Sequence, residues 1–231
     1  MGSFVAWLIC TIVTLALYGN APQMGWAQST AEIFVRLDQV ARSFTGATAN
    51  IRAVTHTGII NEDEIQVGTL VMKRYPQTEL RFLINFIGPD AQGIAFKGRM
   101  VQVYYPKLNT VREYDIGKYK DLAQKLILLG FGMSGRELEA NYDISNLGGE
   151  RVESQDSVHL ELTPKSPDVR KQLSRVDLWI SLKTNCPVQQ KFYMPSGDYR
   201  LVTYSDIKVN PSHLPPSALD LPKGAKRERM N

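Results

Sequence analysis

The residues with the most chemical promise are Gly130-Phe131-Gly132-Met133-Ser134-Gly135. They spell the G-x-G-x-x-G of dinucleotide-binding turns, with Glu150 at the distance where such sites place an acid. That chemistry needs a strand before the glycines and a helix after them, inside a parallel β-α-β unit. Here a helical pattern precedes them and the surrounding strands read as antiparallel, so the glycines are expected to end one helix and begin the next. His56, His159 and His213 are scattered without metal-ligand spacing. No G-x-S-x-G elbow presents a serine, and Cys186 has no local partner to activate it. Glu62 and Glu64 fall at a turn, where solvated charge is the ordinary role, and His159 and Glu161 share the polar face of one strand. The chain is therefore read as a non-enzyme with no catalytic residue, metal site or cofactor.

The elements that position these residues belong to an ordinary globular chain of 231 residues, 43% hydrophobic and 22% charged, long enough to bury a full core. Two cysteines exclude a disulfide framework. The net charge of +4 is concentrated in Lys223, Lys226, Arg227 and Arg229, so residues 223–231 read as a solvated basic tail. A nucleic-acid-binding domain would carry a basic face across its body, and none is expected here.

Residues 1–27 contain no charged residue. Phe4 to Tyr18 form a largely apolar run, followed by Gly19-Asn20-Ala21-Pro22 and then Gly25-Trp26-Ala27, small residues at the −3 and −1 positions of a signal-peptidase site. The run is short for a membrane span, which needs about 20 apolar residues. It fits a secretory signal cleaved after Ala27. Cys10 lies within the run behind Leu8-Ile9, which is unsuited to lipid attachment. Cys186 is expected to be buried and inert, with intermolecular pairing as the alternative.

Ser29-Thr30-Ala31-Glu32 reads as a capping box, and Ile33, Leu37, Val40 and Phe44 follow at helical spacing, predicting a helix over residues 30–44. From Ala49 to Tyr105 the period becomes two, with breaks at Asn61-Glu62-Asp63, Tyr75-Pro76-Gln77 and Gly88-Pro89-Asp90: an antiparallel meander with one buried face. Residues 118–129 return to helical spacing through Leu122, Leu126 and Leu129, and Ser134 caps a second helix ending near Tyr142. Alternation resumes through Val158, Leu160 and Leu162, then Val176, Leu178, Ile180 and Leu182, then Phe192 and Met194, and Leu201 with Thr203. Residues 28–222 thus read as one domain: a long antiparallel sheet, a helix in front and a helical insert. A sheet with one apolar face must be covered. Periodicity leaves open whether the cover seals an ordinary core or leaves a cavity suited to an acyl chain.

Four blocks in order resemble the LolA-like superfamily of periplasmic lipoprotein carriers. They are Gly68-Thr69-Leu70-Val71-Met72-Lys73-Arg74-Tyr75-Pro76 with Leu80-Arg81-Phe82; Phe96 to Pro106; Leu160-Glu161-Leu162-Thr163-Pro164-Lys165; and Asp206 to Asn210 leading to Leu221-Pro222-Lys223-Gly224. The resemblance implies an α+β fold, an unclosed antiparallel β-barrel (a half-barrel) with a helical lid over a hydrophobic cavity. It implies a monomeric periplasmic carrier that takes acyl chains of lipoproteins, or another lipid, from an inner-membrane release complex to an outer-membrane acceptor. A lipid-sensing or regulator-binding protein on the same fold is the alternative. The family's lid-holding arginine falls on Arg74, here separated from Pro76 by Tyr75, with partners expected near Gly130–Ser134. Cavity residues are expected at Leu80, Phe82, Ile84, Phe86, Val101, Val103, Leu122, Leu126, Leu178 and Ile180.

Overall fold

The computed structural model describes residues 28–75 and 79–230. The expected signal segment and the expected turn at Pro76-Gln77 lie outside them. Helix α1 (Thr30–Ser43) opens the fold, and the Ser29–Glu32 capping box satisfies both orphan donors at its start. Its apolar stripe buries Ile33 and Leu37.

Twelve strands form one sheet: β1 (Gly46–Thr57), β2 (Glu62–Arg74), β3 (Leu80–Ile87), β4 (Gln92–Lys97), β5 (Met100–Tyr105), β6 (Thr110–Asp115), β7 (Tyr142–Val152), β8 (Gln155–Pro164), β9 (Arg175–Ser181), β10 (Pro187–Tyr193), β11 (Tyr199–Val209) and β12 (Lys226–Met230). Their order is β12-β6-β5-β4-β3-β2-β1-β11-β10-β9-β8-β7, so β12 and β7 are the two edges and the sheet stays open. All pairings are antiparallel except β12 with β6. Helices α2 (Lys120–Leu128) and α3 (Gly135–Asn141) form the insert between β6 and β7, and the single turn α4 (Pro167–Arg170) precedes β9.

Register decides the inner face. Ala47, Met72, Phe82, Phe96 and Val101 lie in one cross-strand row, and Ala49, Leu70, Ile84, Ile94 and Val103 in the next. Small alanines on β1 leave room for Phe44 and Phe131 to pack over the same face. The interior forms two clusters. One joins α1, α3 and β7–β9 through Leu37, Leu138, Leu160, Val176 and Leu178. The other joins β1–β5 and β11 through Met72, Phe82, Phe96, Phe131 and Tyr204.

Two sequence expectations change. The period of two expected from Ala49 to Tyr105 fails in β4, where Ala95 and Phe96 are buried on opposite faces, and β6 and β7 form where the sequence pattern predicts no strand, β7 as a largely exposed edge with a register shift between Asn146 and Gly148. The basic residues 223–230 are also not a free tail. Leu219, Leu221 and Ala225 cover Leu83, Ala95 and Val111 on the outer face, and Lys226–Met230 then pairs with β6. Charged side chains stay in solvent while their backbone completes the sheet, so a basic segment is here an edge strand.

Candidate functional site: the lid and its fastenings

Helix α2 lies over the seam between the two clusters. Ala123, Ile127 and Leu128 touch the β1–β5 cluster, whereas Leu126 touches the β7–β9 cluster. None of its nine residues is fully buried. The five residues from its C-cap onward, Leu129 to Met133, are by contrast all buried. The helix is thus half-buried or exposed along its length, and the turn behind it is wholly buried.

Here the glycine motif finds its use. Gly130 (φ 78°) ends α2 in the left-handed region, and a Cβ there would press within 3.1 Å of Leu178 and 3.3 Å of Pro187. Gly132 passes so close to Phe44 and Arg74 that a Cβ would sit 2.7 Å and 3.0 Å from them. Ser134 then caps α3 through a reciprocal box with Glu137. The Gly135 N–H donates to Asp38 Oδ1 of α1 at 2.8 Å. The run is a helix stop, a buried turn and a helix start, preceded by a helix rather than a strand.

Two polar side chains fasten this turn from the sheet. Arg74, at the end of β2, donates from Nη2 to the Gly132 carbonyl oxygen at 2.9 Å and from Nη1 to the Ala41 carbonyl oxygen of α1 at 3.4 Å. Its guanidinium stacks over the Phe44 ring, 5.4 Å from the centroid. Burial lowers its pKa below the usual arginine value, opposed by the nearby Glu137 charge, and the group stays cationic. Gln190 on β10 is the second fastening. Its Nε2 donates to the Leu129 carbonyl oxygen at 2.6 Å, and its Oε1 accepts from the Tyr204 hydroxyl at 2.6 Å. Phe131 closes the arrangement edge-on against Tyr204 at 4.9 Å. Burial also raises the Tyr204 pKa, so its proton is held for Gln190.

Sequence reasoning placed Arg74 beside the turn but missed Gln190, Tyr204 and Asp38. Gln190 shares the inward side of β10 with Phe192, opposite Leu178 and Val176 of β9, and a polar residue at such a position was the available signal.

The ten apolar positions expected in a cavity fall on both sides of the seam. Leu80, Phe82, Phe86, Leu178 and Ile180 are buried, and Ile84, Val101, Val103, Leu122 and Leu126 are partly buried. Phe82, Ile84, Phe86 and Val101 join the β1–β5 cluster, while Leu126, Leu178 and Ile180 join the other. Phe82 stacks on Phe96 at 5.5 Å. A cavity of about 660 Å³ opens instead between the three helices, lined by Asp38, Arg42, Arg74, Asp121, Lys125 and Glu137 among others, so Arg74 is reached from outside. Among the described residues no cluster of His, Cys, Asp and Glu is arranged to hold a metal ion, and no helix is long and apolar enough to cross a membrane.

The fold is α+β, an open twelve-stranded half-barrel with helices packed over one face. Comparison with solved structures finds MucB at a TM-score of 0.53 and 12% identity, over 85% of this chain and 64% of MucB. An uncharacterized conserved protein from Thermus thermophilus also superposes at 0.53, with 16% identity over 88% of this chain and all of that one. The LolA superfamily protein NE2245 from Nitrosomonas europaea is similar at 0.39, with 16% identity over 84% and 99%. The chain thus spans under two thirds of MucB, and identities this low speak to fold alone. No protein-family model and no curated protein matches the sequence.

Proposed function

We propose that this protein is a periplasmic carrier that takes up acyl chains of lipoproteins, or of a related lipid, beneath α2 and moves them from inner to outer membrane. Export would follow from cleavage after Ala27. A release complex in the inner membrane would load the carrier, and an outer-membrane acceptor would unload it.

The observation that carries this reading is the contrast between α2 and the buried turn behind it. An apolar helix face with no fully buried residue lies over an apolar floor, while the turn behind it is pinned by Arg74 and Gln190. An acyl chain can take the place of the Ala123, Ile127 and Leu128 stripe over Ile84 and Val101. Burying each methylene is worth about 0.8 kcal/mol, so a chain of about 16 carbons gains on the order of 10 kcal/mol. Each hydrogen bond of the fastening is worth about 1–3 kcal/mol. Cargo can therefore lift the lid, and the fastening can return it once the cargo leaves.

Native mass spectrometry of the protein purified from periplasm tests the reading, paired with an acyl-probe titration on Phe82→Gln. A carrier co-purifies with lipid or lipoprotein, and Phe82→Gln loses probe binding with a modest drop in Tm. Absence of lipid, no probe binding by the wild type, and a collapsed melt for Phe82→Gln would identify a sealed core. A co-purifying regulatory protein without lipid would identify a regulator-binding role.

A further inference from the structure

The outer face of the sheet, opposite the lid, carries an arrangement that the carrier reading does not use. Lys73, Arg81 and Lys97 are direct cross-strand partners on β2, β3 and β4, three cations in one row. Like charges directly opposite one another destabilise a sheet, so such a row calls for an anion. Glu79 supplies part of it, bound to Arg81 through Nε at 2.9 Å and Nη2 at 3.3 Å. Among the described residues Lys97 and Lys223 have no ion-pair partner, and Lys73 only approaches the Tyr75 ring, 5.3 Å from its centroid.

The C-terminal strap turns this row into a site. As Leu219 and Leu221 cross the outer face, a cavity of about 240 Å³ remains between strap and sheet. Its lining brings Arg81 and Lys97 from the sheet together with Lys223 and Arg227 from the strap, with Tyr75 and the acid Asp220, whose charge acts on Arg81, also lining it. Arg227 is partly engaged by Glu113 at 2.6 Å. Tyr75, the residue separating Arg74 from Pro76, lies under the Arg81 guanidinium at 4.5 Å and packs with the outer-face cluster. Against Arg81, Lys97, Lys223 and Arg227, the three acids Glu79, Glu113 and Asp220 leave a positive excess, to which Lys73 beside the cavity adds.

We propose that this cavity binds a phosphate group. A compact anion with several acceptor oxygens matches two lysines and the guanidinium N–H groups of Arg81 and Arg227 that Glu79 and Glu113 leave unbound, where a peptide carboxylate would satisfy only part of them. The phosphate can come from an anionic lipid headgroup, which would seat the protein on a bilayer by its outer face, or from a soluble phosphate. The site stands independently of the carrier reading, because it shares no residue with the lid.

The test uses Lys97→Glu with Lys223→Glu, both exposed and unpaired, so the fold should be retained and a thermal melt checks it. Co-sedimentation compares vesicles of phosphatidylglycerol mixed with phosphatidylcholine against phosphatidylcholine alone, at low and high salt. Calorimetry follows inorganic phosphate and pyrophosphate. Salt-sensitive binding to the anionic vesicles, weakened about tenfold or more in the double variant while acyl-probe binding is unchanged, supports the site and its lipid source. Binding of phosphate or pyrophosphate without vesicle binding, lost in the same variant, supports it with a soluble source. Binding that the double variant leaves unchanged, binding of acidic peptides alone, or no binding of any probe overturns it.

Discussion

The Arg74 guanidinium reaches the Gly132 carbonyl oxygen at 2.9 Å, joining the end of β2 to the turn behind the lid across 58 residues of sequence. The contact is possible because residue 132 has no side chain: a Cβ there would sit 3.0 Å from Arg74 Nη2. Arg74→Leu removes a charge-assisted bond worth about 1.5–3 kcal/mol and leaves the Gly132 oxygen without it. The expected outcome is a folded protein with a lowered Tm and faster acyl-probe exchange. Stopped-flow exchange kinetics beside a thermal melt check it, and exchange at the wild-type rate would remove Arg74 from lid control.

Gln190 should matter more to stability than Arg74. Replacing it by Leu strips a partner from both the Leu129 oxygen and the Tyr204 hydroxyl, two buried groups. Each group left unsatisfied costs about 1–3 kcal/mol. With all proteins measured at one mildly acidic pH and each midpoint taken against the wild type, the urea midpoint of Gln190→Leu should therefore fall further than that of Gln190→Glu, whose protonated carboxyl can still donate to Leu129. Equal midpoints would mean that packing, not the polar bridge, holds the turn.

Acid should act through Asp177 on the outer face of β9. Burial alone would raise its pKa, but His159, the Tyr193 hydroxyl at 2.9 Å and the Arg175 guanidinium at 3.2 Å together lower it. A depressed folded-state pKa stabilises the fold above the unfolded-state value of about 3.9, and that stability is lost as pH falls through the folded-state value. Chemical denaturation of wild type and Asp177→Asn should show a gap at neutral pH that closes on acidification below this range. A gap independent of pH would contradict the assignment.

The Cys186 thiol should be inert in the native state. It is fully buried and free, and burial pushes its pKa up to about 11 against a smaller opposing effect of Thr184. At mildly alkaline pH it is a protonated thiol without solvent access. Thiol reagents should label it only at the rate of unfolding, so labelling should accelerate with denaturant. Prompt labelling in buffer would show an open path to the site.

Much of this architecture is legible in the residues themselves. The Ser29 and Ser134 capping boxes set two helix starts, because a side-chain oxygen and a glutamate three residues on satisfy local donors without outside help. Alternation through Leu80, Phe82, Ile84 and Phe86 marks one face of β3, since side chains on a strand change sides at every residue. The order of strands around the open sheet is another matter. That β1 lies between β2 and β11, and that residues 226–230 pair with β6, depends on contacts between segments far apart in the chain, which local patterns do not encode. The same holds for the functional geometry. Arg74 could be placed near a turn by its sequence block, but the Gln190–Tyr204 bridge, the cation row Lys73–Arg81–Lys97 and the strap that closes it exist only through register and packing. Short-range chemistry determines which elements form; the burial of their apolar faces against one another decides which side chains meet.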